Sequence, residues 1–255
     1  TELVGRISFT QRGVAYVIVE DVEDDTFVHK GNTGKALNGD IVEIKINQFK
    51  GKSEGEVIRI VERARDSYVG TVDQTENSTF VIPDDKNMPV DFFISRKDTK
   101  GAKQGQKVVV KFVSWLEKSN NPTGKIIDIL GLPGSQNVDM HSILAEHGLP
   151  YKFPPQVLKA ADVIANEDHS SIENRRDMRD TLTFTIDPVD AKDFDDALSF
   201  KKCENGNVEV GVHIADVSHF VAPGSELDKE AYERGNSVYL VDRVIPMLPE
   251  ILSNK

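Results

Sequence analysis

The sequence predicts a mainly β protein: two small five-stranded barrels in tandem (1–66 and 67–134), a short helical linker (135–180) and the first part of an α+β domain (181–255). Three observations carry that prediction. The first half contains an internal repeat of about 65 residues, a scale at which repeats are worth seeking early. Each copy is built of short alternating runs rich in Val, Ile, Phe and Thr, punctuated by Gly, Asn and Asp. Beyond residue 134 the apolar spacing becomes helical, and a later strand-like run ends in five aspartates within ten residues.

The repeat is read position by position. Val4-Gly5-Arg6-Ile7 aligns with Val69-Gly70-Thr71-Val72, and Ala15-Tyr16-Val17-Ile18 with Thr79-Phe80-Val81-Ile82. Thr26-Phe27-Val28-His29 aligns with Phe92-Phe93-Ile94-Ser95, and Leu37-Asn38-Gly39-Asp40 with Lys103-Gln104-Gly105-Gln106. Strands are expected near 3–10, 14–19, 25–29, 40–46 and 55–62, and again near 69–74, 78–82, 91–94, 107–115 and 123–130. Five short strands of this kind close into a small barrel.

Gly131-Leu132-Pro133-Gly134 ends the second copy. Ile143, Leu144 and His147, then Val157, Leu158, Ala161, Val163 and Ile164, recur at helical spacing. Pro150, Pro154 and Pro155 divide the stretch into two helices, the second opening at Pro155. His141, His147 and His169 lack ligand-type spacing and read as surface residues or caps. Arg175-Arg176-Asp177-Met178-Arg179-Asp180 reads as a local ion-pair network.

Composition bounds the rest. The chain has 255 residues, is 38% hydrophobic and 29% charged, and has the balance of an ordinary globular protein. No apolar run approaches the roughly 20 residues of a membrane span. The N-terminal TELVGRISFT has no signal-peptide pattern. The single cysteine, Cys203, excludes an internal disulfide framework and a Cys-based zinc cluster. These features point to a cytoplasmic protein without a membrane partner. The net charge is −11, and residues 181–255, with 7 basic and 14 acidic side chains, hold −7 of it. The first half is close to neutral and can present a basic face to an anionic partner.

The aspartates lie in Thr183-Phe184-Thr185-Ile186-Asp187-Pro188-Val189-Asp190-Ala191-Lys192-Asp193-Phe194-Asp195-Asp196-Ala197-Leu198. Packed carboxylates repel, and a divalent cation removes that cost. Oxygen ligands without His or Cys suit Mg²⁺ or Mn²⁺ and not Zn²⁺. The spacing is not that of an EF-hand. Taken alone, a solvated acidic loop is the alternative reading.

The first repeat resembles a cold-shock domain, a small OB-fold. Arg12-Gly13-Val14-Ala15-Tyr16-Val17 resembles its first RNA-binding motif, with Val14 and Ala15 where an aromatic residue and a glycine are usual. Thr26-Phe27-Val28-His29 resembles the second motif. Tyr16, Phe27 and His29 are the candidate stacking surfaces for single-stranded RNA, and Arg12 and Lys30 the candidate phosphate contacts, beside Arg6 and Lys35. In the second copy Phe80 and one of Phe92 and Phe93 are candidate platforms. There, packing is the expected role, and alternation turns only one of the last two inward.

The string IDPVDAKDFDDAL closely resembles the catalytic signature of the RNB family of 3′→5′ exoribonucleases, on the ribonuclease R side of the ribonuclease II and ribonuclease R group. Val212-His213-Ile214-Ala215-Asp216-Val217-Ser218-His219-Phe220-Val221 resembles the family's next strand. Arg234-Gly235-Asn236-Ser237-Val238-Tyr239-Leu240 and Val244-Ile245-Pro246-Met247-Leu248-Pro249 resemble the segment after it, and two N-terminal cold-shock-type barrels complete the domain order. The resemblance implies an RNB catalytic domain in which Asp187, Asp193, Asp195 and Asp196 are catalytic. It further implies that Asp187, Asp193 and Asp196 hold Mg²⁺ (Mn²⁺ as the alternative), and that Tyr239 stacks near the 3′-terminal nucleotide and sets the final product. The implied activity is processive hydrolysis of single-stranded RNA to nucleoside 5′-monophosphates by a monomeric parent enzyme. His213, His219 and Asp216 read as structural and Asp190 as surface. Only the first 75 or so residues of such a domain (181–255) are expected here, without the family's downstream arginine and glutamate. The 255-residue chain is therefore expected to be an inactive N-terminal fragment. The alternative is a non-catalytic RNA-binding module of cold-shock type.

Overall fold

The computed structural model describes residues 2–20, 22–49, 52–167, 175–189, 191, 194–240 and 243–253. The chain divides into two compact units, Thr1–Leu149 and Pro150–Lys255. Among the described residues no helix is long and apolar enough to cross a membrane.

In the first unit, β1 (Glu2–Phe9), β2 (Ala15–Ile18), β3 (Thr26–Val28), β4 (Ile41–Phe49) and β5 (Lys52–Glu62) close a barrel in the order β1-β2-β3-β5-β4. Next, β6 (Ser67–Gln74), β7 (Thr79–Pro83), β8 (Phe92–Ile94), β9 (Lys107–Ser114) and β10 (Thr123–Gly131) close a second barrel with the same order, β6-β7-β8-β10-β9. In both, the third strand meets the fifth in parallel, Val28 opposite Gly55 and Ile94 opposite Gly124.

The repeat extends to single hydrogen bonds. Ile7 N donates to Asp40 O and Gly39 N to Ile7 O, each at 2.9 Å; Val72 N to Gln106 O and Gly105 N to Val72 O repeat both bonds at 2.9 Å. Gly5 and Gly70 explain one shared requirement. A Cβ on Gly5 would lie 2.4 Å from Ile18 O, and one on Gly70 would lie 2.4 Å from Ile82 O, so only glycine lets the first two strands cross this closely.

Ile7, Phe9, Ala15, Val17, Val28, Val42 and Ile44 fill the first barrel, and Tyr68, Val72, Val81, Phe92, Ile94, Val108, Val110 and Ile126 the second. Leu37 of the first repeat is buried in the second core and joins the barrels. Polar contacts flank it. The fully buried Asp40 carboxylate accepts from Leu37 N at 2.8 Å, from Ala64 N at 3.0 Å and from Arg63. The Arg63 guanidinium also lies 4.7 Å from the ring centroid of Phe112 in β9. Asn38 Nδ2 donates to Asp85 Oδ2 at 2.9 Å and Lys35 Nζ to Trp115 O at 3.2 Å. Helix α1 (Gln136–Glu146), capped by Ser135 Oγ accepting from Val138 N, packs on β6, β9 and β10. His147 is its C-terminal cap, as the sequence suggests.

The second unit begins with α2 (Pro155–Ala165), which opens on a proline whose missing N–H has no role in the first turn. A three-stranded antiparallel sheet follows: β11 (Leu182–Phe184), β12 (Asp196–Lys202) and β13 (Val208–Ile214). Then come α3 (Val217–Phe220), α4 (Glu226–Arg234), a hairpin of β14 (Val238–Tyr239) and β15 (Val244–Ile245), and α5 (Glu250–Ser253). Val157 and Ala161 of α2 and Leu227 of α4 form a small core, with Leu248, Ile251 and Leu252 packed against it.

One expected strand is shorter than its resemblance suggests. Residues 212–221 do not continue as one strand; β13 stops at Ile214. Asp216 then caps α3, its Oδ1 accepting from His219 N at 3.2 Å and from Ser218 Oγ at 2.9 Å. His219 accordingly sits in a helical turn and not on a strand face.

Candidate active site and nucleic-acid interface

The aspartate-rich segment runs in sequence between β11 and β12, and Asp195 and Asp196 lie at the end of the sheet where β13 finishes. Asp187 follows β11 by three residues. It is half-buried, and its Oδ2 is sealed from solvent with no hydrogen-bond partner among the described residues. Asp195 is exposed, and its backbone carbonyl accepts from Ala215 N at 2.8 Å. Asp196 is the exposed first residue of β12, paired with Ile214. Alternation puts it on the face of Leu198 and Phe200. Asp193 and Asp190 lie outside the described residues. Among the described residues no three His, Cys, Asp or Glu side chains gather around one point.

A buried, unpartnered carboxylate oxygen is costly unless something positive or a donor meets it. Asp187 Oδ2 is such an atom, so the donor chemistry of this segment fits a hard divalent cation, which takes carboxylate oxygens.

The charged segment ahead of β11 ties the sheet together. Arg175 Nη2 pairs with Asp216 Oδ2 at 2.6 Å, Arg176 with Glu209 of β13, and Arg179 with Asp177. The hydrogen bond from Arg175 is the main reason the Asp216 carboxyl titrates below its ordinary range, with Ser218 adding to it. The network is thus partly local and partly an anchor for both ends of β13. His213 Nε2 lies 2.8 Å from the buried Ser199 Oγ across the β12–β13 pair, a structural role. Tyr239 stands on β14, 74% exposed, opposite Val244.

On the first barrel, Tyr16 (β2) and Phe27 (β3) are register partners on the outer face, their ring centroids 5.7 Å apart and edge to face at 67°. Tyr16 is 39% exposed. Arg12, His29 and Lys30 are exposed on the turns beside them. His29 Nδ1 accepts from Gly31 N at 3.3 Å, which fixes the ring at the start of a 3₁₀ turn.

The second barrel repeats this surface. Phe80 and Phe93 are register partners with centroids 5.7 Å apart at 67°, the same geometry. Phe92 packs in the core and Phe93 is 37% exposed, so packing claims only one of the two. Arg96 opens the matching 3₁₀ turn, where Lys30 opens the first. Phe93 and Arg96 also line a cavity of about 310 Å³ together with Gln74, Thr75, Ser78 and Thr99. One charge differs: Ser8 is the register partner of Tyr16, whereas Asp73 is that of Phe80. Asp73 also helps burial push the Asp91 carboxyl above its ordinary range.

Comparison with known proteins places three family models along the chain: the Ribonuclease B OB domain on residues 5–60, a cold shock domain on 80–154 and the RNB domain on 175–255. Ribonuclease R of Thermotoga maritima is 42% identical over 256 residues, covering 98% of this chain and 36% of the relative. Mycoplasma genitalium RNase R in complex with ribose-methylated single-stranded RNA superposes with a TM-score of 0.74 at 27% identity, covering 99% of this chain and 41% of that one. Yeast Ssd1, a pseudonuclease, shares the fold, with a TM-score of 0.59 at 19% identity over 100% of this chain and 39% of its own. The chain spans about a third of the length of the Thermotoga maritima relative.

Proposed function

The chain is a homologue of bacterial ribonuclease R carrying the domains of the RNB family, and from that premise we propose that its parent is a cytoplasmic, monomeric 3′→5′ exoribonuclease. It hydrolyses single-stranded RNA processively to nucleoside 5′-monophosphates. The observation that carries this reading is the unpartnered, solvent-sealed Oδ2 of Asp187 within the signature segment. Asp187, Asp193 and Asp196 are the proposed ligands of Mg²⁺, with Mn²⁺ as a substitute. When bound, such an ion supplies charge neutralisation for the carboxylates and the scissile phosphate and lowers the pKa of the attacking water. Asp195, held through its own carbonyl by Ala215, positions that water or the metal. Tyr239 offers its exposed ring to the 3′-terminal nucleotide.

The barrels supply the strand-holding function. Tyr16 and Phe27 stack bases, assisted by His29, while Arg12 and Lys30 meet phosphates. Phe80, Phe93 and Arg96 offer a second such surface, weakened by Asp73. By itself this 255-residue chain is proposed to bind RNA without hydrolysing it.

A chimera tests the catalytic reading. This chain replaces the matching part of Thermotoga maritima ribonuclease R, and the hybrid is given 5′-labelled single-stranded RNA and Mg²⁺. The expected result is a ladder shrinking from the 3′ end, abolished by Asp195→Asn and by Asp187→Asn. A folded hybrid that binds RNA and leaves it intact overturns the reading.

A further inference from the structure

Arg234, the last residue of α4, sits in a run of charged residues that reads as surface, yet its side chain is only 3% exposed. Its donors are spent on three backbone carbonyls, from two stretches of the chain, and one carboxylate. Nε donates to Glu230 Oε1 at 2.9 Å, Nη2 to Lys152 O at 2.8 Å, and Nη1 to Pro150 O at 3.0 Å and Pro246 O at 3.4 Å. The guanidinium carbon lies 3.6 Å from the ring centroid of Phe153. One side chain therefore fastens the segment before α2, the end of α4 and the strand returning from β15. A planar fork stacked on a ring and bonded to several carbonyls is a task lysine cannot perform.

The β14–β15 hairpin leaves from this knot and returns to it. Ser237 Oγ accepts from Met247 N at 2.9 Å, and Leu240 N donates to Arg243 O at 2.8 Å, closing the hairpin at both ends. Tyr239 rides on it. A ring 74% exposed takes its orientation from the backbone beneath it more than from packing. We propose that Arg234 is a positioning residue for Tyr239: it sets the hairpin so that the tyrosine ring presents a fixed face to the 3′-terminal nucleotide of the bound RNA. This rests on the reading of Tyr239 given above.

The test uses single-stranded RNA with 2-aminopurine as its 3′-terminal base, titrated with the 255-residue chain while base stacking is read from fluorescence. Wild type quenches the probe, and Tyr239→Ala leaves a residual quench that a further loss can still lower. Arg234→Lys lowers the quench by about threefold, and the double variant is no worse than Tyr239→Ala alone, since a residue acting through another is not additive with it. A probe at the 5′ end is unaffected by Arg234→Lys. Phe153→Leu, which removes the ring beneath the guanidinium, gives the same non-additive loss and serves if Arg234→Lys melts early. Full quenching in Arg234→Lys and Phe153→Leu, or additive losses in the double variant, overturns the role of Arg234 while leaving Tyr239 in place. Undiminished quenching in Tyr239→Ala overturns the reading of Tyr239 and the role of Arg234 with it.

Discussion

The two barrels and the three-stranded sheet are made from the same kind of alternating strand, and they finish with opposite surfaces. Ile7 and Phe9 on β1 are sealed inside a closed barrel. Val208, Val210, Val212 and Ile214 on β13 alternate as regularly, yet Val212 is 68% exposed and Ile214 69%. Leu182, Phe184 and Phe200 extend this open apolar face across β11 and β12. A barrel supplies its own second layer, because every inward side chain faces the opposite wall. A three-stranded sheet does not, and must be covered by other elements. Alternation tells which residues share a face; closure decides whether that face is buried.

The sharpest way to break this contrast is truncation on each side of it. Phe92→Ala in the second barrel is expected to cost about 3–5 kcal/mol in urea unfolding, through lost burial and a residual cavity. Val212→Ala on the open sheet is expected to stay within about 0.5 kcal/mol. A Val212→Ala cost like that of Phe92→Ala would mean that the face is covered in solution. Next in size is Arg63→Met, which strands the buried Asp40 carboxylate between the barrels. A loss of about 3 kcal/mol is expected, at the lower end for broken buried pairs because Arg63 is partly exposed, and Asp40→Asn in the same chain recovers part of it.

Binding separates the two faces of a single barrel. Phe93→Ala and Tyr16→Ala are each expected to weaken single-stranded RNA binding by about 1–3 kcal/mol, measured by fluorescence anisotropy, with little change in thermal midpoint. Loss of stability without loss of binding would make these rings packing residues. The smallest effect belongs to Asp73→Ser, which makes the second aromatic surface resemble the first. It is expected to raise RNA affinity at low salt, with the gain fading as salt increases.

Most of the barrel architecture was legible from residues 1–134, because β-branched alternation and turn residues recur at a fixed interval. The β4–β5 hairpin runs longer than its apolar pattern, through Asn47 and Gln48 and back from Lys52, since polar residues pair in a ladder as well as apolar ones. Phe92 and Phe93 could be separated only to the extent that one had to point inward. The repeat alignment already sets Phe93 against Phe27; that each is the outer-face register partner of the aromatic on the preceding strand needed the closed barrel. In the second unit the resemblance carried by the aspartate string was legible, while the surroundings of those residues were not. Arg234 is spelled like a solvated helix residue, and its partners are backbone carbonyls at 150, 152 and 246, groups that every sequence has. Asp216, by contrast, was legible as a structural residue hydrogen-bonded at a strand end, and it caps α3 two residues beyond β13.

The most direct measurement is the 255-residue chain alone with 5′-labelled single-stranded RNA and Mg²⁺, binding and cleavage read side by side with Asp195→Asn. Retarded but intact RNA in both proteins is the expected result: the closed barrels bind the strand, while the apolar face of the three-stranded sheet stays open among the described residues. A ladder shrinking from the 3′ end in the wild type and absent in Asp195→Asn would contradict it, and would mean that this open sheet is already a working active site.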